Sequence, residues 1–195
     1  MLISGGGRTL VNLASAIDRG EVHARVRSVV SSSAGAVGVM RATSLGLPVS
    51  VNACRSADDV QRLWDSIDAQ GVELVVLAGW LRRLPIAPGY EGRVLNIHPS
   101  LLPSFGGRGM YGHHVHEAVL AHGCKLSGCT VHFCDDQYDT GPILVQRSCP
   151  VLEDDTPETL AARVFEQECI AYPHAIQLIA TGRVLIEARH ARIKP

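Results

Sequence analysis

Short apolar runs alternate with longer amphipathic stretches through the first half of the chain. The runs predict strands at residues 25–31, 48–51 and 73–78. The stretches repeat apolar residues three and four positions apart and predict helices at residues 10–17, 35–45 and 58–69. The run at 73–78 is apolar at nearly every position, which is typical of a strand covered on both faces. Alternating strands and helices predict an α/β fold with a doubly wound, mostly parallel sheet in three layers.

The second half continues with strands and two further helices. Strands are predicted at residues 93–97, 127–134 and 142–150, and the last two flank a polar loop. One helix carries His113, His114 and His116, and a long helix starts at Pro157 with Thr156 as its N-cap. The short basic tail, residues 189–195, reads as a frayed end. We find no linker or repeat and expect one domain, residues 1–195.

A glycine turn follows the apolar residues at the start of the chain. Residues 2–4 resemble only the last part of a strand, so either the sheet begins unusually short or the natural chain starts upstream of Met1, and we expect the latter. The sequence Gly5-Gly6-Gly7 then leads into a helix, an arrangement that lets backbone N–H groups approach a phosphate. The spacing matches neither G-x-G-x-x-G nor a Walker loop. A plain tight turn therefore explains these glycines equally well.

Composition excludes several classes of protein. Of 195 residues, 46% are hydrophobic and 19% charged, which permits a full core and excludes extensive disorder. The net charge of −1 gives no general attraction to nucleic acid or anionic membranes. No apolar run is long enough to span a bilayer or to serve as a signal sequence. The six cysteines form no C-x-x-C pair, so we expect reduced thiols in a cytoplasmic protein.

Two polar side chains stand at the end of the strand at 93–97. Asn96 and His98 face the same side because strand side chains alternate, and Pro99 ends the strand. The carboxyl ends of strands are where ligands bind in open α/β sheets. An amide can donate to an oxyanion, and an imidazole can move a proton near neutral pH. Alone, however, this pair is more simply explained as two satisfied polar residues at a strand end.

A second stretch changes this interpretation. The sequence NIHPSLLP at 96–103, followed by VHF at 131–133 and D-T-G-P at 139–142, resembles the folate-dependent formyltransferases over nearly the whole chain. The resemblance implies a Rossmann-like fold and transfer of formyl from 10-formyltetrahydrofolate to the amino group of glycinamide ribonucleotide. It implies Asn96, His98 and Asp139 as catalytic residues, with Asp139 raising the His98 pKa. Folate is then a co-substrate, and no tightly bound cofactor is required.

The resemblance also implies binding residues. For the ribonucleotide they are Gly5, Gly6, Gly7, Arg8, Thr9, Pro99 and Glu168. For the folate they are Leu81, Arg82, Arg83, Leu84, Asn96 and Thr140. His132 and His116 would support the site, and the glycine-rich loop at 105–112 would close over substrate. Arg8, Thr9, Arg83 and Phe165 depart from the residues expected at their positions, which puts their side-chain contacts in doubt.

Alternatives remain at this point. The three histidines of 113–116 contain no i, i+4 pair, and no carboxylate stands at a zincin spacing, so we expect no metal. A formyltetrahydrofolate hydrolase would share the catalytic residues, and a methionyl-tRNA formyltransferase would normally carry a second, basic domain. The alternative from a different functional class is a module that binds folate or a nucleotide without catalysis. We expect small-molecule substrates, no nucleic acid or membrane partner, and a possible homodimer.

Overall fold

The computed structural model describes residues 1–195 and divides them into two compact units, Met1–Leu95 and Asn96–Pro195. The first unit alternates strands and helices as the apolar pattern predicts. Its elements are β1 (Leu2–Ile3), α1 (Arg8–Asp18), β2 (Val29–Ser31), α2 (Val37–Ser44), β3 (Val49–Val51), α3 (Ala57–Ala69) and β4 (Val75–Leu77). The strand predicted at 25–31 is shorter than expected, because only its last three residues pair with β1 and β3.

All strand pairs described in the first unit are parallel. Strand β1 lies between β2 and β4, and β3 pairs with the other side of β2. Apolar residues from successive elements form the core, among them Ile3, Leu10 and Val29. Because the strands are parallel, the turns after β1 and β4 meet at one edge. There the Ser4 hydroxyl accepts a hydrogen bond from the backbone N–H of Leu81 at 3.0 Å.

The second unit combines an antiparallel strand pair with a long helix. Strand β5 (Val94–His98) crosses the boundary between the units. It is followed by α4 (His113–Ala121), β6 (Leu126–Phe133), β7 (Ile143–Pro150), α5 (Pro157–Ala180), β8 (Val184–Glu187) and β9 (His190–Ile193). Helix α5 packs on β6 and β7, and α4 packs on α5.

The start of α5 is the predicted one. The Thr156 side chain accepts from the backbone N–H of Thr159, and the Thr159 hydroxyl accepts from the Thr156 N–H. This reciprocal pair satisfies two N–H groups that a helix otherwise leaves without partners. Pro157, at the first helical position, needs no such partner. None of the five helices is long and apolar enough to cross a membrane.

The end of the chain differs from the prediction. Residues 189–195 are not frayed, because β9 pairs antiparallel with β8 and parallel with β7, where His190 lies opposite Ile143. The backbone bond from the Lys194 N–H to the Arg183 carbonyl, 2.7 Å long, closes the open end of this hairpin. The positive charge and short length of this tail suggested disorder. The strand pairing with β7 and β8 instead gives its backbone groups hydrogen-bond partners, whatever the side chains are.

Candidate functional site

Four side chains from three segments of the second unit meet in one cluster. Asn96 and His98 lie in β5, His132 lies near the end of β6, and Asp139 lies in the loop between β6 and β7. The side chains of His98 and His132 are 4% and 2% exposed, and that of Asp139 is 10% exposed. The alternation of β5 and the antiparallel β6–β7 pairing thus place two histidines, an amide and a carboxylate together, largely away from water.

Both ring nitrogens of His98 have partners. Nε2 lies 2.8 Å from the carbonyl oxygen of Phe105, and Nδ1 lies 3.5 Å from Oδ2 of Asp139. A carbonyl oxygen only accepts, so Nε2 carries a proton. The protonated ring donates from both nitrogens, whereas the neutral ring turns a lone pair toward the carboxylate. The pair with Asp139 therefore favours imidazolium.

Asp139 is fixed through both its backbone and its carboxylate. Its φ of 58° lies in the left-handed region, which non-glycine residues seldom occupy. Oδ2 accepts from the backbone N–H of Gly107 at 2.9 Å, and Oδ1 lies 3.5 Å from Nε2 of His132. A Cβ on Gly106 would come within 2.5 Å of Leu102 and 3.3 Å of Asp139 Cβ. Residue 106 must therefore be small for this loop to approach the carboxylate, and the φ of 96° at residue 107 favours glycine there.

His132 connects Asn96 to the carboxylate. Its Nδ1 lies 3.0 Å from the Phe133 carbonyl oxygen and therefore donates to it. Nε2 lies 3.1 Å from the Asn96 Nδ2 and 3.5 Å from Oδ1 of Asp139, so it accepts from the amide when it carries no proton and donates to the carboxylate when it carries one. The bond from the amide leaves the second Nδ2 hydrogen of the half-buried Asn96 for another acceptor. His132 thus orients the amide that the sequence selects as an oxyanion donor.

The pKa of His98 is lower than its ordinary value, although Asp139 acts to raise it as expected. Burial lowers the pKa, and this effect outweighs the raising effects of the Asp139 charge and the Phe105 carbonyl. Burial acts to raise the pKa of Asp139, but His132, His98 and the Gly107 N–H together hold it below its ordinary value. The neutral form of His98 facing an ionised Asp139 therefore prevails at neutral pH.

The nearby thiol of Cys134 stays protonated. Burial and the charges of Asp139 and Asp135 raise its pKa to about 12, so it supplies no thiolate at neutral pH. The Asp135 carboxylate instead accepts from the Thr140 hydroxyl at 2.8 and 2.9 Å. Thr140, expected at the folate, therefore ties its own loop together in this structure.

The glycine turn of the first unit starts α1. Gly7 is the N-cap residue with φ 71°, and no side chain caps the helix. A Cβ on Gly7 would come within 2.7 Å of the Gly38 backbone, so α2 requires glycine here. Arg8 and Thr9 are the first two residues of α1, and Arg41 donates to the Gly6 carbonyl oxygen at 2.7 Å. An uncapped helix N-terminus beside an arginine is a suitable environment for a phosphate.

The segment expected to bind the folate follows β4 in the same unit. Leu81 is 58% exposed and Leu84 is buried, and Arg82 and Arg83 are both exposed. The Leu81 N–H is bonded to the Ser4 hydroxyl, so the first backbone donor of this segment has a partner in the structure.

The remaining predicted residues lie outside the hydrogen-bonded cluster. Pro99 directly follows β5, and Glu168 is half-buried on α5. His116 is buried on α4, where Nδ1 has no hydrogen-bond partner and burial lowers its pKa to about 4. His113 and His114 are exposed beside Glu158 and Glu117. No group of three or more metal-ligating side chains occurs.

Sequence reasoning missed two members of the site. Phe105 contributes only its carbonyl oxygen, and Gly107 contributes only its N–H. Backbone groups are present at every position, so side-chain identity gives no direct signal for them. The glycine-rich composition of 105–112 indicated a loop near substrate. It did not indicate which peptide groups contact the catalytic candidates.

Comparison with known proteins gives consistent results. A family model described as formyl transferase matches residues 1–176. The phosphoribosylglycinamide formyltransferase of Escherichia coli (strain K12) is 37% identical over 191 residues, covering 94% of this chain and 87% of that protein. The chloroplastic phosphoribosylglycinamide formyltransferase of Vigna unguiculata is 38% identical over 192 residues, covering 95% of this chain. The chain spans 61% of the length of that relative and 65% of the one from Arabidopsis thaliana.

Solved structures agree with the fold. The crystal structure of glycinamide ribonucleotide transformylase 1 from Symbiobacterium toebii matches all of this chain and 92% of its own, with a TM-score of 0.91 and 40% identity. The phosphoribosylglycinamide formyltransferase from Brucella melitensis matches 95% of this chain and 96% of its own, with a TM-score of 0.84 and 41% identity. The α/β fold class predicted from the sequence is therefore confirmed.

Proposed function

The chain belongs to the formyl transferase family, and from this premise we propose that it transfers a formyl group from 10-formyltetrahydrofolate to the amino group of glycinamide ribonucleotide. The products are formylglycinamide ribonucleotide and tetrahydrofolate. The observation that carries the proposal is the buried cluster of Asn96, His98, His132 and Asp139. It combines a donor for an oxyanion, a proton carrier and a carboxylate that stabilises the charge of that carrier.

The chemistry follows from these groups. The amine nitrogen attacks the formyl carbon, a new C–N bond forms, and the carbonyl electrons move onto oxygen. The second Nδ2 hydrogen of Asn96 donates to this oxyanion. The amine then loses a proton and the bond from the formyl carbon to the folate N10 breaks, so N10 must gain a proton. We propose that the proton lost by the amine passes to the His98–Asp139 pair and that His98, then an imidazolium, delivers one proton to N10, directly or through one water.

His98 requires a change of partner to act. In this structure its Nε2–H is occupied by the Phe105 carbonyl oxygen, and Nδ1 faces Asp139. A developing negative charge on substrate is a stronger acceptor than a neutral carbonyl, so we propose that the reacting oxygen displaces the Phe105 carbonyl. Asp139 then stabilises the imidazolium. The lowered pKa of His98 makes the ring a ready proton donor once it is charged.

The binding residues stay part of the proposal. For the ribonucleotide phosphate we propose the turn Gly5, Gly6 and Gly7 with the first residues of α1, Arg8 and Thr9; Pro99 and Glu168 would contact the remainder. For the folate we propose Leu81, Arg82, Arg83, Leu84, Asn96 and Thr140. His132 supports Asn96, and His116 supports the site from α4. No metal or tightly bound cofactor takes part in this scheme.

Broader expectations also stay proposals. We propose that residues 1–195 make up one formyltransferase domain with small-molecule partners, and that a homodimer is a possible assembly. The six free cysteines fit a reducing compartment, for which we propose the cytoplasm. Neither nucleic acid nor a membrane is needed as a partner in the proposed reaction.

The test follows deformylation of 10-formyltetrahydrofolate by absorbance, with and without glycinamide ribonucleotide. We expect turnover that depends on the ribonucleotide. We expect Asn96→Ala and Asp139→Ala each to lower kcat by about 10²–10³-fold while the fold persists, because each removes a group that acts in the transition state. Asp136→Ala, which removes an exposed carboxylate from the same loop, is the matched control and should keep its activity.

Each other outcome has a defined meaning. Equal deformylation without the ribonucleotide would indicate a formyltetrahydrofolate hydrolase. Folate binding without turnover in either case would indicate a binding module. Near-normal turnover by Asp139→Ala would refute the assignment of that carboxylate.

A further inference from the structure

The turn between β8 and β9 contacts the loop that carries Asp139. Arg189, in this turn, donates from Nη2 to the backbone carbonyl oxygen of Thr140 at 3.0 Å, across 49 positions of sequence. Thr140 directly follows Asp139, so the acceptor is the second peptide group after the Cα of Asp139. Strand β9 begins at the next residue, His190, which pairs with Ile143 at the start of β7. The hairpin thus touches the loop at its carboxyl-terminal end.

The Asp139 loop needs such a contact. Within the loop, Asp135 accepts from the Thr140 hydroxyl and from the backbone N–H of Gln137 at 3.0 Å. These bonds close the loop between Asp135 and Thr140, whereas Asp139 has a left-handed φ of 58° that is unfavourable for a residue with a side chain. A strained conformation persists only when neighbouring groups hold it. The bond from Arg189 reaches this loop from the hairpin.

A cavity lies between the β8–β9 hairpin and the Asp139 loop. It has a volume of about 430 Å³, and its walls include Asp139, Gly107, Arg189 and His190. Because open space lies beside the carboxylate, side-chain packing does not fill the region between hairpin and loop. The position of Asp139 on that side therefore depends on hydrogen bonds rather than on close packing.

From these contacts, and resting on the proposed function above, we infer that Arg189 is a positioning residue that holds the Asp139 loop from the carboxyl-terminal hairpin. Arg189 touches no reacting group. It acts through the Thr140 carbonyl on the orientation of the Asp139 carboxylate toward His98 and His132. The hairpin, which the composition suggested to be a frayed tail, thereby helps to position the Asp139 carboxylate.

The test compares two arginines of the same hairpin. Arg189→Ala removes the bond to Thr140, whereas Arg192→Ala removes an exposed ion pair with Glu187, 2.9 Å long, within the hairpin. We expect Arg189→Ala to lower kcat about tenfold to a hundredfold with unchanged KM, since small displacements of a catalytic group have such effects. Arg192→Ala should match the wild type. Arg189→Lys should recover part of the loss, because an ammonium can donate to the carbonyl without the fork geometry of a guanidinium.

A second readout does not depend on turnover. The ring of His98 faces the Asp139 carboxylate, the Phe105 carbonyl and His132, and His116 adds a further charge interaction. Displacing the carboxylate removes the group that raises its pKa, so NMR titration of His98 in Arg189→Ala should shift to lower pH than in the wild type. This titration still decides the inference if the wild type proves unable to transfer formyl and the proposed function fails.

Two results would overturn the inference. The first is an unchanged kcat and an unchanged His98 titration in Arg189→Ala. The second is an equal loss of activity in Arg192→Ala, since that loss would reflect the stability of the hairpin rather than the Thr140 bond. The first result overturns the inference even if Arg189→Ala lowers the thermal midpoint, because the role of Arg189 is then only structural.

Discussion

Gly141 offers the sharpest test of how the backbone shapes the site. It follows Thr140 and precedes the first residue pairs of β7. A methyl group at this position would overlap the carbonyl oxygen of Phe133 and lie 2.9 Å from its carbonyl carbon and 3.4 Å from the backbone nitrogen of Asp135. All three atoms belong to backbone, so no side-chain rotation relieves the overlap. Gly141→Ala must therefore move one strand end relative to the other.

The magnitude follows from this geometry. Overpacking in a closed site costs about 1–3 kcal/mol, and the upper end applies because only backbone can yield. For a domain of this size, about 3 kcal/mol corresponds to a fall of about 6–12 °C in Tm. The Phe133 carbonyl also accepts from His132 Nδ1 at 3.0 Å, and the Phe133 N–H donates to the Pro142 carbonyl at 2.9 Å. Displacing this peptide should disturb His132, and thereby Asn96, so we expect kcat to fall as well.

The assay is urea and thermal unfolding of Gly141→Ala beside a matched control, with turnover measured on the folded protein. Gly35→Ala is the control, because a Cβ there meets nothing within 4 Å and the backbone does not have a positive φ. Reducing the freedom of the unfolded chain should make that control neutral or more stable by about 0.4–1 kcal/mol. If Gly141→Ala unfolds at the same urea concentration as Gly35→Ala, the argument from backbone overlap is refuted.

Three further predictions concern stability. Asp155→Asn should lower the free energy of unfolding at pH 7 by about 1.5–3 kcal/mol in urea, because Arg163 donates two charged hydrogen bonds to this carboxylate, at 2.6 and 2.9 Å. These bonds hold the pKa of Asp155 well below its ordinary value, so their contribution to the free energy of unfolding is complete above about pH 4 and is lost as the pH falls further. A difference in the free energy of unfolding between variant and wild type that stays constant down to pH 2 would contradict this. The buried ring of His116 has a pKa of about 4 and stays neutral between pH 6.5 and 4, whereas the ring in the unfolded chain binds a proton near pH 6.5, so the folded state loses stability as the pH falls through this range. His116→Leu should make that loss smaller, and parallel pH profiles of Tm for variant and wild type would count against this. Thr156→Ala should cost about 1 kcal/mol in thermal unfolding through loss of the α5 cap, and Thr181→Ala, at the other end of the helix, is the comparison that shows whether the loss belongs to the cap.

Much of the candidate site could be located from the sequence. Strand alternation places Asn96 and His98 on one face, and Pro99 has no N–H with which to continue the ladder, so both residues must stand near the end of β5. Asp139 had no such physical signal. Several carboxylates lie in the same loop, and only the likeness of D-T-G-P to a family motif distinguished Asp139 from Asp135 and Asp136.

The sequence predicted the raising effect of Asp139 on the His98 pKa but not the larger opposing effect of burial. Considering only the neighbouring carboxylate predicts a raised pKa, because opposite charges favour the charged form. The sequence does not report how deeply the ring is buried, and burial disfavours that form. In the structure burial has the larger effect, so the ring is neutral more often than the pairing with Asp139 alone suggests.

The sequence alone determined the alternation of strands and helices, the capped start of α5 at Thr156, and the face shared by Asn96 and His98. These properties depend on residues close together in the chain, whose spacing sets their direction. Tertiary structure alone decided that the Phe105 carbonyl holds His98, that the Gly107 N–H holds Asp139, and that the final residues form a hairpin whose Arg189 reaches Thr140. Each of those contacts joins a side chain to a backbone group 7 to 49 residues away. Because every residue carries the same backbone groups, local sequence patterns do not reveal which of them a side chain will meet.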